Sequence, residues 1–205
     1  MDVALFLKAA LIGLSIAAPV GPVGLLCIQR TIAHGPRIGF ASGLGAATAD
    51  ATYGAIGAFG LATVTNYFVT LTTPLALFGA LFLGWMGIKL LRAAPPAGAA
   101  SAANGVFAGK AFVSVFILTL ANPMTILSFI AVFAAIAGPA ANAPSAARIM
   151  VLGVFCGSAF WWLLLACGVA TVRHKIGPGT MTLINRIGGC ILLGFAGWQL
   201  VRIAG

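Results

Sequence analysis

Acidic residues are almost missing from this chain. Its 205 residues include 11 lysines and arginines, two aspartates (Asp2 and Asp50) and no glutamate, giving a net charge of +9 with only 6% of residues charged. A soluble domain of average composition carries about 25% charged residues. With 61% hydrophobic residues and a mean hydropathy of +1.13, the chain is excluded from that class. Its basic residues never form a run with interleaved aromatics, which argues against a nucleic-acid surface. The four cysteines (Cys27, Cys156, Cys167, Cys190) lie inside apolar segments without a CxxC pair or metal-type spacing. They read as small buried hydrophobes rather than a disulfide framework or a metal site. No nucleophile–base pair or cofactor motif supports an enzyme.

What the chain has in abundance is long apolar runs. A membrane-spanning helix needs about 20 largely apolar residues, and six such segments are predicted: 3–27, 38–64, 68–91, 111–136, 149–172 and 183–203. The first is expected to remain a span rather than a cleaved signal peptide, because its charged region is poor and its apolar stretch runs past the small-residue site. The expected class is therefore an all-α integral membrane protein with six transmembrane helices. Basic residues favour the cytoplasmic side of such helices. Arg30, Arg37, Lys89, Arg92, Lys110, Arg173, Lys175 and Arg186 fall in the connections after spans one, three and five, against Lys8, Arg148 and Arg202 on the other side. This places both termini outside the cytoplasm, with His34 and His174 as solvated residues of the cytoplasmic connections.

The chain also resembles itself. The stretch 79–92, GALFLGWMGIKLLR, aligns with 189–202, GCILLGFAGWQLVR, with glycines, leucines and the terminal arginine in register, and Pro22 in 21–28 aligns with Pro123 in 122–129. Two three-helix repeats are predicted, residues 1–92 and 110–205, joined by a Pro/Ala/Gly-rich cytoplasmic linker at 93–109. Because three is odd, the second repeat is inverted. Inverted repeats are a mark of secondary transporters, whose substrate sites lie at the repeat interface.

Proline interrupts the first and fourth spans. Pro19 and Pro22 fall late in one, in AAPVGPVG, and Pro123 falls in the other, in LANPMT. A helical proline lacks the N–H and clashes with the carbonyl four residues back, which frees the carbonyls of Ser15, Ala18 and Thr119. In lipid, freed backbone groups are tolerated only when buried in protein or lining a wet cavity. Gly21 and Gly24 let a ligand approach the backbone closely. Half-helix N–H groups suit a carboxylate and freed carbonyls suit a cation, so a broken pair can hold both ends of a zwitterion. Asn122 and Thr125 flank the second break.

Asp50 lies about 18 Å along the second span at 1.5 Å per residue, and an intramembrane acid is a functional-site hypothesis by default. Ala46, Tyr53 and Gly54 share its face. Three roles are open to it: binding a substrate ammonium, carrying a coupling proton, or forming a structural hydrogen bond.

On these residues the chain resembles the LysE/RhtB family of bacterial amino-acid exporters, over nearly its whole length. The carriers are PVGPVGLLCIQRTIAHGPRIGFASGLGAATAD and LANPMTILSFIAVF. The family pattern maps onto Pro19, Gly21, Pro22, Arg30, Gly35, Gly39, Gly45, Asp50, Asn122 and Pro123. Val20, Val23, Gly24 and Met124 depart from it, which bears on substrate rather than fold. The resemblance implies proton-motive-force-driven efflux of amino acids across the bacterial inner membrane, with amino acid, protons and lipid as partners and no cofactor. With one intramembrane acid, a neutral substrate fits better than a cationic one, and Trp85, Phe129 or Trp161 could line its cavity. Gly35, Gly39 and Gly43 offer a small-residue face for packing within a protomer or in a homo-oligomer. An inorganic-cation exporter on a related fold and a non-transporting scaffold are the alternatives. A thiol-redox carrier would need paired cysteines, but Ser128 stands where Cys27 would require its partner.

Overall fold

The computed structural model describes residues 2–19, 21–58, 72–92, 107–122, 125, 128–129 and 144–204. Seven α-helices occur among them: α1 (Val3–Ala17), α2 (Pro22–His34), α3 (Pro36–Ala58), α4 (Thr72–Leu91), α5 (Ala108–Leu120), α6 (Pro144–Arg173) and α7 (Pro178–Ala204), and no strand is present among these residues. Helices α6 and α7 are each long and apolar enough to cross a bilayer, and α1 with α2 passes the same test as one bent span. With 23 residues, α3 reaches about 35 Å at 1.5 Å per residue.

The helix ends follow local chemistry. Asp2 caps α1, its carboxylate accepting from the Leu5 N–H at 3.1 Å, which satisfies one of the orphan donors of the first turn. Thus one of the chain's two acids is a helix cap. The predicted first span is two helices: α1 stops at Ala17 and α2 restarts at Pro22, with the axes turned by 82°. Pro22 stands at the first helical position, where its missing N–H costs nothing. Gly35 ends α2 with φ +91°, a backbone conformation open to glycine.

The helices pack through small residues. Helix α1 lies on α6, α6 on α3 and α3 on α5, α4 pairs with α7, and α2 touches α3, α6 and α7. A Cβ on Gly153 of α6 would strike the Phe6 carbonyl and the Ala10 amide nitrogen of α1; a Cβ on Gly45 of α3 would strike the Phe112 carbonyl and the Phe116 amide nitrogen of α5. In both crossings the glycine meets the carbonyl of one residue and the amide four residues on. Gly39 sits against Thr31 and Gly43 against Trp162, so these glycines pack within the protomer.

Two buried clusters result. One gathers Leu26, Cys27, Val115, Leu118, Trp162 and Leu192, and the other Ala9, Tyr53, Phe129, Met150 and Val154. Outward-facing residues are apolar and recur one helical turn apart, as Val3, Leu7 and Leu11 on α1 and Leu77, Leu81, Trp85 and Ile88 on α4. A lipid-facing surface requires this pattern. Of the four cysteines only Cys27 is buried; Cys156, Cys167 and Cys190 are exposed. The expectation of four buried cysteines is corrected here, since on an apolar outer surface a cysteine is as well accommodated as inside.

Candidate functional site

A cavity of about 360 Å³ opens where α1 gives way to α2. Ile16, Pro19, Gly21, Pro22 and Val23 form one wall, Leu118, Ala121, Asn122, Thr125 and Ser128 a second, and Gly79, Leu83, Phe195, Trp198 and Gln199 a third. The α1–α2 break therefore faces the segment that follows α5. Among the described lining residues no side chain is charged. The first turn of α2 has no side-chain cap, so its N–H groups beside Gly21 are open to an anionic group.

One of the three expected freed carbonyls turns out differently. That of Thr119 accepts from the Asn122 N–H at 3.1 Å, and the Thr125 N–H bonds the Asn122 carbonyl at 3.1 Å. The expected free carbonyl of Thr119 is therefore engaged. Pro123 lies outside the described residues.

Asp50, Tyr53 and Gly24 do not line the cavity. Asp50 is 3% exposed, and its carboxylate accepts from the Ser158 hydroxyl at 2.7 Å. That hydroxyl accepts in turn from the Trp162 indole N–H at 3.2 Å. The pair sits at the seam between the two buried clusters, since Ala47 and Trp162 belong to one and Tyr53 and Val154 to the other. A Tyr53 hydroxyl bond to the Leu120 carbonyl, at 2.5 Å, links the Asp50 face to the end of α5, next to Ala121 and Asn122 on the cavity.

The cavity's aromatics are Phe195 and Trp198, not the expected Trp85, Phe129 or Trp161. Trp85 faces outward at 57% exposure and Phe129 is buried, stacked on Tyr53 at 5.8 Å. Hydropathy marks which residues are apolar but not which way a helix is turned. Gln199 also escaped the sequence reading, although a neutral amide within the sixth apolar run was its available signal.

Among the described residues no group of three or more histidine, cysteine or acidic side chains could hold a metal ion. An all-helical membrane chain with a cavity at a broken helix has the build of a carrier. Comparison with known proteins identifies it further: residues 14–202 match the model of the LysE type translocator family, and the chain belongs to that family. It is 32% identical to "Putative amino acid efflux protein YcgF" of Bacillus subtilis, covering 97% of both chains. It is 30% identical to "Chemotactic transduction protein ChpE" of Pseudomonas aeruginosa, over 96% of this chain and 98% of that one. It is also 30% identical to "Uncharacterized membrane protein YahN" of Escherichia coli, over 82% and 77%. No solved structure matches the chain. The protein is thus a member of a family of membrane translocators.

Proposed function

We propose that this protein exports neutral amino acids across the bacterial inner membrane, driven by the proton-motive force, through six spans arranged as two inverted three-helix repeats. One observation carries the reading: the cavity lies between the α1–α2 break and the segment around Asn122, on a chain of the LysE type translocator family. Its volume of about 360 Å³ falls in the range of small-molecule pockets. The α2 N-terminus suits a substrate carboxylate, and uncharged walls suit a neutral side chain. The amino-acid class is also that in the name of the Bacillus subtilis relative. The repeated glycine crossings, α6 on α1 and α3 on α5, support the inverted repeat.

Asp50 serves as the proton carrier in this reading. Its place away from the cavity walls and its bond to Ser158 favour coupling over direct substrate contact. Proteoliposomes loaded with a panel of labelled amino acids test the proposal, comparing wild type with Asp50→Asn, with and without an imposed pH gradient. Gradient-stimulated efflux that disappears in the variant is expected. Stimulation that survives Asp50→Asn removes Asp50 from coupling, and efflux no faster than from protein-free liposomes removes the amino-acid reading.

A further inference from the structure

The third wall of the cavity comes from the α4–α7 pair, and it carries an amide whose orientation is set. Gln199 of α7 is 9% exposed, and its Nε2 donates to the Ala76 carbonyl of α4 at 2.6 Å. A backbone carbonyl only accepts, so the amide nitrogen must be the end turned toward α4. The other end, Oε1, is then an acceptor with two lone pairs. Among the described residues Oε1 has no hydrogen-bond partner. Nor is it among the fully buried atoms left without one, which are Gln29 Nε2 and Thr119 Oγ1. Oε1 therefore keeps accessible surface on a residue that lines the cavity.

Water in the cavity can donate to this acceptor at rest, and a ligand that displaces the water must bring a donor of its own or lose that bond. The chain's buried acid is not a competitor for that ligand: Asp50 is off the cavity wall and already holds the Ser158 hydroxyl. Gly79 stands beside this amide. A Cβ there would crowd the Ala121 carbonyl of the cavity wall at 3.2 Å and reach contact distance, 3.4 Å, from Gln199 Nε2.

We propose that Gln199 Oε1 is the subsite for the ammonium group of the substrate, on the wall contributed by α7, with Gly79 leaving room between that amide and the Ala121 carbonyl. This rests on the amino-acid export proposed above. A zwitterion then places its carboxylate toward the α2 N-terminus and its ammonium toward α7, so that it must touch both the broken helix and the α4–α7 pair.

The test is exchange of labelled against unlabelled amino acid in proteoliposomes, using leucine, valine, threonine and phenylalanine as probes. The N-acetyl derivative of each, which lacks the ammonium, serves as competitor. Gln199→Leu should raise the half-saturation concentration of the zwitterion by about ten- to a hundredfold, the loss expected for a hydrogen bond to a charged group. Inhibition by the N-acetyl compound should stay at its wild-type level. Gly79→Ala should shift the same parameter severalfold, again for the zwitterion alone, and it decides the matter if Gln199→Leu does not fold. An unchanged half-saturation, or equal shifts for the zwitterion and the N-acetyl compound, would overturn the subsite while leaving export standing. Absence of exchange in wild type would overturn export and the subsite together.

Discussion

Single residues in this protein often do something other than what their charge suggests. Arg30 reads in sequence as one of eight cationic residues at the cytoplasmic ends. In the structure its guanidinium donates to the Ser42 hydroxyl at 3.0 Å, the Ala111 carbonyl at 2.9 Å and the Ser114 hydroxyl at 2.8 Å. Two of its nitrogens thereby tie the end of α2 to α3 and α5. Lysine's single ammonium cannot reproduce that planar fork. Arg30→Lys is expected to lose about 1–3 kcal/mol, the cost of leaving such bonds unmade, and Arg30→Ala at least as much. Both should lower the melting temperature in detergent, whereas Arg37→Ala, at an exposed site, should not. An unchanged melting temperature for both Arg30 variants would show the clamp to be incidental. The number of arginines could be counted in the sequence, but which one is clamped depends on Ser42 and Ser114 coming from other helices.

At the scale of elements, glycine divides into two kinds. On α6, a Cβ at Gly157 would overlap the Ala10 carbonyl of α1, so the helices touch backbone to backbone. In membranes such small-residue crossings carry helix association. At Gly21 an added Cβ would meet nothing within 4 Å among the described residues, although the residue lines the cavity. Gly157→Leu is therefore expected to prevent assembly, seen as loss of the monodisperse peak after detergent extraction. Gly21→Ala should be recovered at wild-type yield and change transport instead. If Gly157→Leu elutes and melts like wild type, the α1–α6 crossing is not what holds these helices together. The helices themselves were legible from apolar length, Pro and Gly: the break at Pro22 was expected, and the structure has it. The end of α5 was less legible. A proline motif announces an interruption but not that Asn122 would satisfy the Thr119 carbonyl.

For the whole molecule, the distribution of basic residues implies an orientation with both termini outside the cytoplasm. Single-cysteine variants in a background without native cysteine can test it. A membrane-impermeant thiol reagent applied to intact cells should label a cysteine at Asp2 and fail to label one at Lys175 until the cells are opened. The reverse pattern would turn the protein over in the membrane and, with it, the side from which the cavity loads.

By itself the sequence determined the class of this protein. Scarce acids and long apolar runs dictate helices in lipid, because backbone groups there must be bonded within the protein and an apolar run of about 20 residues does this as a helix. Its broken first span and its family were equally legible, since proline and glycine act through local backbone geometry. What only the tertiary structure decided is which side chains face the cavity. Asp50 is turned toward Ser158 on another helix, Trp85 outward, and Gln199 inward beside Ala76. The physical reason is that a helix with apolar residues on all sides carries no polar face to reveal its rotation. Its orientation is set by close approaches between glycine and backbone and by hydrogen bonds between residues 67 to 123 positions apart, which no local pattern encodes.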